Sequence, residues 1–322
     1  MHMCSIFQVH VAMVASELPL VTSVTNAAMP AVIALLGNSS VHSGQASSTA
    51  TSPSGGVACV REHGTAKSLG HRHGMPPGPV GSHEEFVAQL LRYDYLLRPP
   101  EKVGMAPELA RVAWAGASAS NSGRNITAPN SSSGGGFAPF GEHWESGREE
   151  SYDAFLFHDH YVWHSARPRP KQGTIEVRPA CQQPHEDTCV AAALGLGIVE
   201  AHQELAPFLA SFNGNTSNES NPVNNASSDD GAFGLRGVWP ELQQLHHRAC
   251  ESGLADGKVR TLAAGVLERA SEGLQRRGLG EEKYLAPLYA RIEAKANPGQ
   301  VAQDMLAKDG MGALLKHFTK RA

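Results

Sequence analysis

The sequence predicts an α+β protein in which strands and helices are intermixed at first and helices alone follow. Three observations carry that reading. Ile6, Val9, Val11 and Val14 stand among polar residues, and Ile175 and Val177 alternate with Thr174, Glu176 and Arg178, as in half-buried strands. Apolar residues recur at three-to-four spacing in 21–36, 82–97 and 184–210, and again through 240–295. Between these blocks, 38–56, 116–136 and 213–230 are dominated by Ser, Thr, Asn, Ala and Gly. Such composition buries too little apolar surface to offset chain entropy, so these stretches are expected to be disordered inserts. The 322 residues then divide into an α+β part over 1–212, with inserts near 38–56 and 116–136, a linker at 213–230 and a helical part over 231–322.

Each element has local grounds. The helix at 21–36 stops at Gly37, with Pro30 expected to kink or break it. Ser82 is an N-cap with Glu85 completing a capping box, and the helix it opens should run to about Leu97, before Arg98-Pro99-Pro100. Tyr161 to Ala166 and Thr174 to Arg178 read as two strands joined by the segment Arg167 to Gly173. Pro184, followed by acidic Glu186 and Asp187, starts a long helix to about Ala210. Helices at 240–252, 259–277 and 281–295 and a terminal pair around Gly310 complete the chain.

Composition excludes several classes. Lys and Arg number 27 against 31 Asp and Glu, a net charge of −4, so no overall basic field favours nucleic acid or an anionic membrane. Five cysteines without a C-x-x-C pair make neither a disulfide framework nor a structural zinc site, and a reducing intracellular compartment, cytoplasm or plastid, is expected. The apolar runs near 5–15 and 29–37 fall short of the roughly 20 residues of a membrane span, and no Lys or Arg precedes the first to make a signal peptide. The N-x-S/T sequons, from Asn38 to Asn225, are what Asn/Ser-rich sequence produces by chance.

The chemistry concentrates in 166–184. On a strand, Thr174, Glu176 and Arg178 share one face. A carboxylate beside a guanidinium can hold a hard cation and the phosphate it bridges, and Arg167 and Arg169 make the neighbourhood basic. The bland alternative is a surface ion pair on an edge strand.

Three segments together resemble the glutamate–cysteine ligase superfamily, in its second family of carboxylate–amine ligases. They are Arg167-Pro168 with Gly173-Thr174-Ile175-Glu176-Val177-Arg178 and Gln183-Pro184; Phe7-Gln8-Val9-His10-Val11 with the later Gly37-Asn38-Ser39-Ser40 and Gly44; and 247–254 with Arg276 to Gly280. The resemblance implies a glutamine-synthetase-like antiparallel catalytic sheet that binds ATP and Mg²⁺. It also implies activation of the glutamate side chain as an acyl phosphate, which cysteine or another amine then displaces. On that basis Glu176 and His10 would bind metal, and Arg178, Gln8 and His10 would contact nucleotide. Glu176 and Arg178 would be catalytic, and Arg61 and Arg167 would bind substrate. Family members carry further acidic strands before the Q-V-H-V strand, and this chain starts almost at that strand. A catalytically incomplete remnant acting as a binding protein is therefore the alternative.

A third reading rests on His158, His160 and His164. Their common parity would put three imidazoles on one face of an unbroken strand, a spacing that can bind zinc. His71-Arg72-His73 reads as plain loop. Cys189 is expected in the core, and Arg276, Arg277 and Arg291 on solvated helix faces. No cysteine has a sequence neighbour that would activate it.

Overall fold

A computed structural model describes residues 7–42, 45–46, 59, 72–94, 139–145, 152–169, 171–212 and 233–319. Most of the three low-complexity stretches, and Arg61, lie outside these residues. Strand β1 (Val9–Ala12) pairs antiparallel with β7 (Thr174–Val177), which pairs antiparallel with β6 (Ala166–Arg169), giving the order β1-β7-β6. Val9, Val11, Ile175, Val177 and Ala166 form the apolar side of this sheet. The alternation seen in the sequence thus sets one face inward. Arg167 is in the β6 ladder rather than in a connecting loop, because the strand begins three residues after the short β5 (Trp163–His164) starts. Further short pairs join β2 (Val41–His42) to β3 (Gln45–Ala46) and β4 (His73–Gly74) to β5.

Helix α1 (Leu18–Leu36) runs behind the sheet, and every residue from Val21 to Leu36 is buried. Pro30 sits inside it without ending it. Many of its residues are β-branched, a modest helix disadvantage that burial outweighs. With the preceding turn it spans 22 residues and is apolar enough to cross a bilayer, longer than either apolar run taken alone, yet 89% of its most apolar window is buried inside the protein. It is the central core helix. Asn26, buried in its middle, donates to Ala166 O (2.8 Å) and accepts from Ala166 N (3.0 Å), so one amide side chain satisfies both backbone groups at the start of β6.

Helix α2 (His83–Leu91) has the expected cap: Glu85 N donates to Ser82 Oγ at 3.2 Å, and the Glu85 carboxylate accepts from Gly81 N at 2.7 Å. It ends at Leu91, six residues short of the predicted end, where Asp94 bridges to Pro139. Short α3 (Phe140–Glu145) and α4 (Tyr152–His160) follow. The long helix after Pro184 is instead a 3₁₀ turn (His185–Asp187), α5 (Val190–Glu200) and α6 (His202–Ser211), interrupted at Ala201.

The last part consists of α7 (Trp239–Ser252), α8 (Gly257–Arg277), α9 (Ala286–Ala294) and α10 (Pro298–Thr319), the last interrupted at Gly310 with φ 79°. These helices have no core of their own. Leu242, Leu245, Leu262 and Val266 pack into one cluster with Val32 and Leu36 of α1 and Leu194 of α5. Gly197 makes the α5–α8 approach possible, since a Cβ there would stand 2.6 Å from Ala270 O.

Candidate functional site

The sheet face opposite the core is polar. His10 lies directly across from Glu176 in the β1–β7 register, and Arg167 lies across from Glu176 on the other side. Directly opposed residues of an antiparallel pair share a face. Parity adds Thr174, Arg169 and, beyond the strand ends, Gln8 and Arg178. His10 Nδ1 is 3.2 Å from Thr174 Oγ1. The structure therefore brings Gln8, His10, Arg167, Glu176 and Arg178 to one face of the sheet.

Three guanidiniums converge on one carboxylate. Arg167 Nε is 3.3 Å from Glu176 Oε2, Arg169 Nε is 3.4 Å from the same oxygen without hydrogen-bond geometry, and Arg178 Nη1 donates to Oε1. Glu176 is 2% exposed and Arg167 4%, whereas Arg178 and Arg169 are half-buried and reach the surface. Arg167 also donates through Nη1 to the carbonyls of Asp159 (3.2 Å), His160 (3.1 Å) and Val162 (2.6 Å). It thereby closes the C-terminus of α4, where a cation is favoured.

Burial alone would raise the pKa of Glu176. The charges of Arg167, Arg178 and Arg169 outweigh it, and the carboxyl sits below its ordinary value. Arg167 is pulled down to about 10, first by burial, with Glu176 opposing. Asp159, buried beside the cluster, is pushed up to about 6 by burial, with Arg167 and Arg169 opposing and Glu176 adding. Neither Asp159 nor Arg169 was singled out as a site residue in the sequence. The charge of Arg169 was visible there, but the approach of α4 to the sheet was not.

This donor set fits an anion better than Mg²⁺. A magnesium site wants several hard oxygens, and Glu176 offers one carboxylate whose two oxygens both face guanidiniums. Among the described residues no three His, Cys, Asp or Glu side chains converge as a metal site. Guanidinium forks around a buried counter-charge are suited to phosphate or carboxylate oxygens.

The histidine reading fails on its premise. Residues 152–160 form helix α4, so His158, His160 and His164 do not share a strand face. His158 Nε2 donates to Leu90 O at 2.9 Å and its ring stacks on Phe140 at 4.3 Å; burial holds its pKa down at about 4. His164 Nε2 meets Tyr93 OH at 2.9 Å, and His160 is exposed. Arg72 and His73 are not plain loop: Arg72 is 7% exposed, with its guanidinium 5.6 Å from the Tyr93 ring centre, and His73 is in β4.

Arg276 and Arg277 do lie at the surface, paired with Glu204, Glu200 and Glu281. Arg291 does not. It is 8% exposed and donates to Leu35 O (2.9 Å), Gln183 Oε1 (2.7 Å) and Asp187 Oδ2 (2.6 Å). Gln183 Nε2 donates to Leu36 O (2.9 Å) and Asn297 Nδ2 to Ala34 O (2.8 Å), so three side chains satisfy the last carbonyls of α1. Gln183, part of the Gln-Gln-Pro motif, is thus a clamp between α1 and α9. A cavity of about 840 Å³ adjoins it, lined by Asn38, Ser39, Gln182, His185 and Asn297, and its lining does not include the arginine face. Cys189 is exposed rather than core.

Compared with known proteins, the chain matches no family model and no curated protein.

Proposed function

We propose that this chain is an ATP-dependent carboxylate–amine ligase of glutamate–cysteine ligase type, joining glutamate to cysteine or a related amine. The observation that carries the reading is the arginine face, with His10 set opposite Glu176 and Arg167, Arg169 and Arg178 around that carboxylate. The motif resemblance expects the Q-V-H-V and E-V-R strands side by side, and their antiparallel register supports it.

Phosphoryl transfer asks mainly for positioning and for neutralisation of spreading negative charge. In this reading Arg178 and Arg169, which reach the surface, grip phosphoryl oxygens. Arg167 stays fixed to the end of α4, and Glu176 holds the three guanidiniums together while no anion is bound. His10 and Gln8, both exposed, form the rim on the β1 side. No role is assigned to Mg²⁺ at Glu176.

A second reading has an observation of its own. Glu176 is saturated by guanidiniums, and among the described residues the three strands carry no second carboxylate, which favours a phosphate-binding protein without turnover. Phosphate release from ATP, with glutamate and cysteine present or omitted, separates the two. Release that depends on both amino acids and falls about 10²–10³-fold in Arg178→Lys supports the ligase. ATP binding without such release supports the binding protein, and an absence of both would remove both.

A further inference from the structure

Two cysteines far apart in sequence meet in the core. Cys59 and Cys181 are 122 residues apart, yet their sulfurs lie 3.8 Å from each other, and their exposures are 0% and 1%. Both are thiols. Backbone hydrogen bonds fix Cys59 and the residue before Cys181. Cys59 N donates to Cys250 O at 3.0 Å, and Phe7 N donates to Ala180 O, beside Cys181, at 3.0 Å. Ser39, bridged to Cys59 through the backbone, places its hydroxyl 3.5 Å from the Cys59 sulfur and 3.7 Å from that of Cys181. Ser39 also lines the 840 Å³ cavity, which therefore reaches within one side chain of both thiols.

We propose that Cys59 and Cys181 form a redox-active dithiol that hydrogen peroxide converts to a disulfide. The cavity brings a small oxidant as far as Ser39, whose hydroxyl touches both sulfurs. Peroxide transfers one oxygen to the first sulfur, giving a sulfenic acid and one water. The second thiol attacks that sulfur, the S–S bond forms, and the oxygen leaves as a second water. Two electrons pass from the sulfurs to peroxide and both thiol protons leave in water. The sulfurs close from 3.8 Å to the ~2.05 Å of a disulfide. The bond would tie the segment carrying Cys59 to the chain leaving β7, three residues beyond Arg178. The proposal is independent of the ligase reading.

Peptide mapping of the full chain tests it. The protein is exposed to hydrogen peroxide, alkylated and digested without reductant. The expected product is the Cys59 peptide joined to the Cys181 peptide, about 2 Da lighter than their sum and separated by dithiothreitol, with Cys250 alkylated. Cys189→Ser, at an exposed position, should leave the link intact, whereas Cys181→Ser should abolish it. Should Cys181→Ser misfold, the wild-type map decides. The idea is overturned if Cys59 and Cys181 are recovered as alkylated thiols at peroxide exposures that oxidise Cys189. Joining of Cys59 to Cys4 or Cys250, or loss of the link in Cys189→Ser, overturns it equally.

Discussion

Arg291 and Arg167 are buried to a similar degree, at 8% and 4% exposure, and each donates to carbonyls at the end of a helix. Their surroundings then diverge. Arg291 faces one carboxylate, Asp187, and one amide oxygen, Gln183, and the charges close. Arg167 shares Glu176 with Arg169 and Arg178, so cations outnumber the anion they surround. Asp159 reduces this surplus only where it is ionised, above about pH 6. A matched buried pair is what a helix end needs. A surplus of like charge lowers stability, and partly exposed guanidiniums can recover it from an incoming anion. The comparison separates an arginine that builds the fold from arginines that are placed to bind.

The largest effect should come from the matched cluster. Arg291→Ala leaves Asp187 and the last carbonyls of α1 without their donor, and urea unfolding should register a loss of about 3–5 kcal/mol. Added tripolyphosphate should not restore it. Glu176→Gln should cost somewhat less, about 2–4 kcal/mol near pH 7, because three guanidiniums lose their counter-charge. Its sign with pH is fixed by the depressed pKa: the carboxylate contributes fully above its unfolded value of 4.5 and loses that contribution as pH falls through its lower native value. Wild type and Glu176→Gln should therefore converge in strong acid, and an undiminished gap there would indicate packing rather than charge.

Asp159→Asn should act in the opposite direction. A native pKa of about 6 against 3.8 means the folded state holds a proton that the unfolded state has released, so stability falls as pH rises across that window. Removing the charge should add about 1–3 kcal/mol at pH 7 and nothing below about pH 4, as read by denaturant midpoints at both pH values. Arg169→Lys should be smallest in stability, under about 1 kcal/mol, since the side chain is 21% exposed. Its effect belongs on anion affinity, where loss of the planar fork should show as a several-fold weaker binding.

Parity made the polar sheet face legible: Val9 and Val11 inward, His10 outward, Ile175 and Val177 inward, Glu176 outward, as the sequence reads. The strand limits were less legible, because Arg167 stands at the start of an Arg-Pro-Arg-Pro run that reads as loop, while its ladder to Glu176 depends on a partner nine residues later. Residues acting across the fold were invisible. Asn26 reads as one polar residue in an apolar helix, yet it fastens β6 from 140 positions away. Arg291 shows no local sign of burial, because its partners come from α1 and from the turn after β7. The three histidines misled for the same reason. A two-residue parity was assumed across a helix whose register is set by packing of His158 against Leu90 and Phe140.

The claim that the arginine face binds a phosphoryl anion is tested most directly by thermal unfolding with metal-free tripolyphosphate, against sodium chloride of equal ionic strength. Wild type should gain several degrees in Tm at millimolar tripolyphosphate, as a ligand specific to the folded state requires. The measurement is made at pH 7.5 and again at pH 5.5, where Asp159 is mostly protonated and tripolyphosphate is itself less charged, so wild type and variant are compared at each pH. A chain carrying both Arg169→Lys and Arg178→Lys should lose most of that gain at either pH. Equal gains in the two chains, or a gain in wild type no larger than chloride produces, would contradict the account.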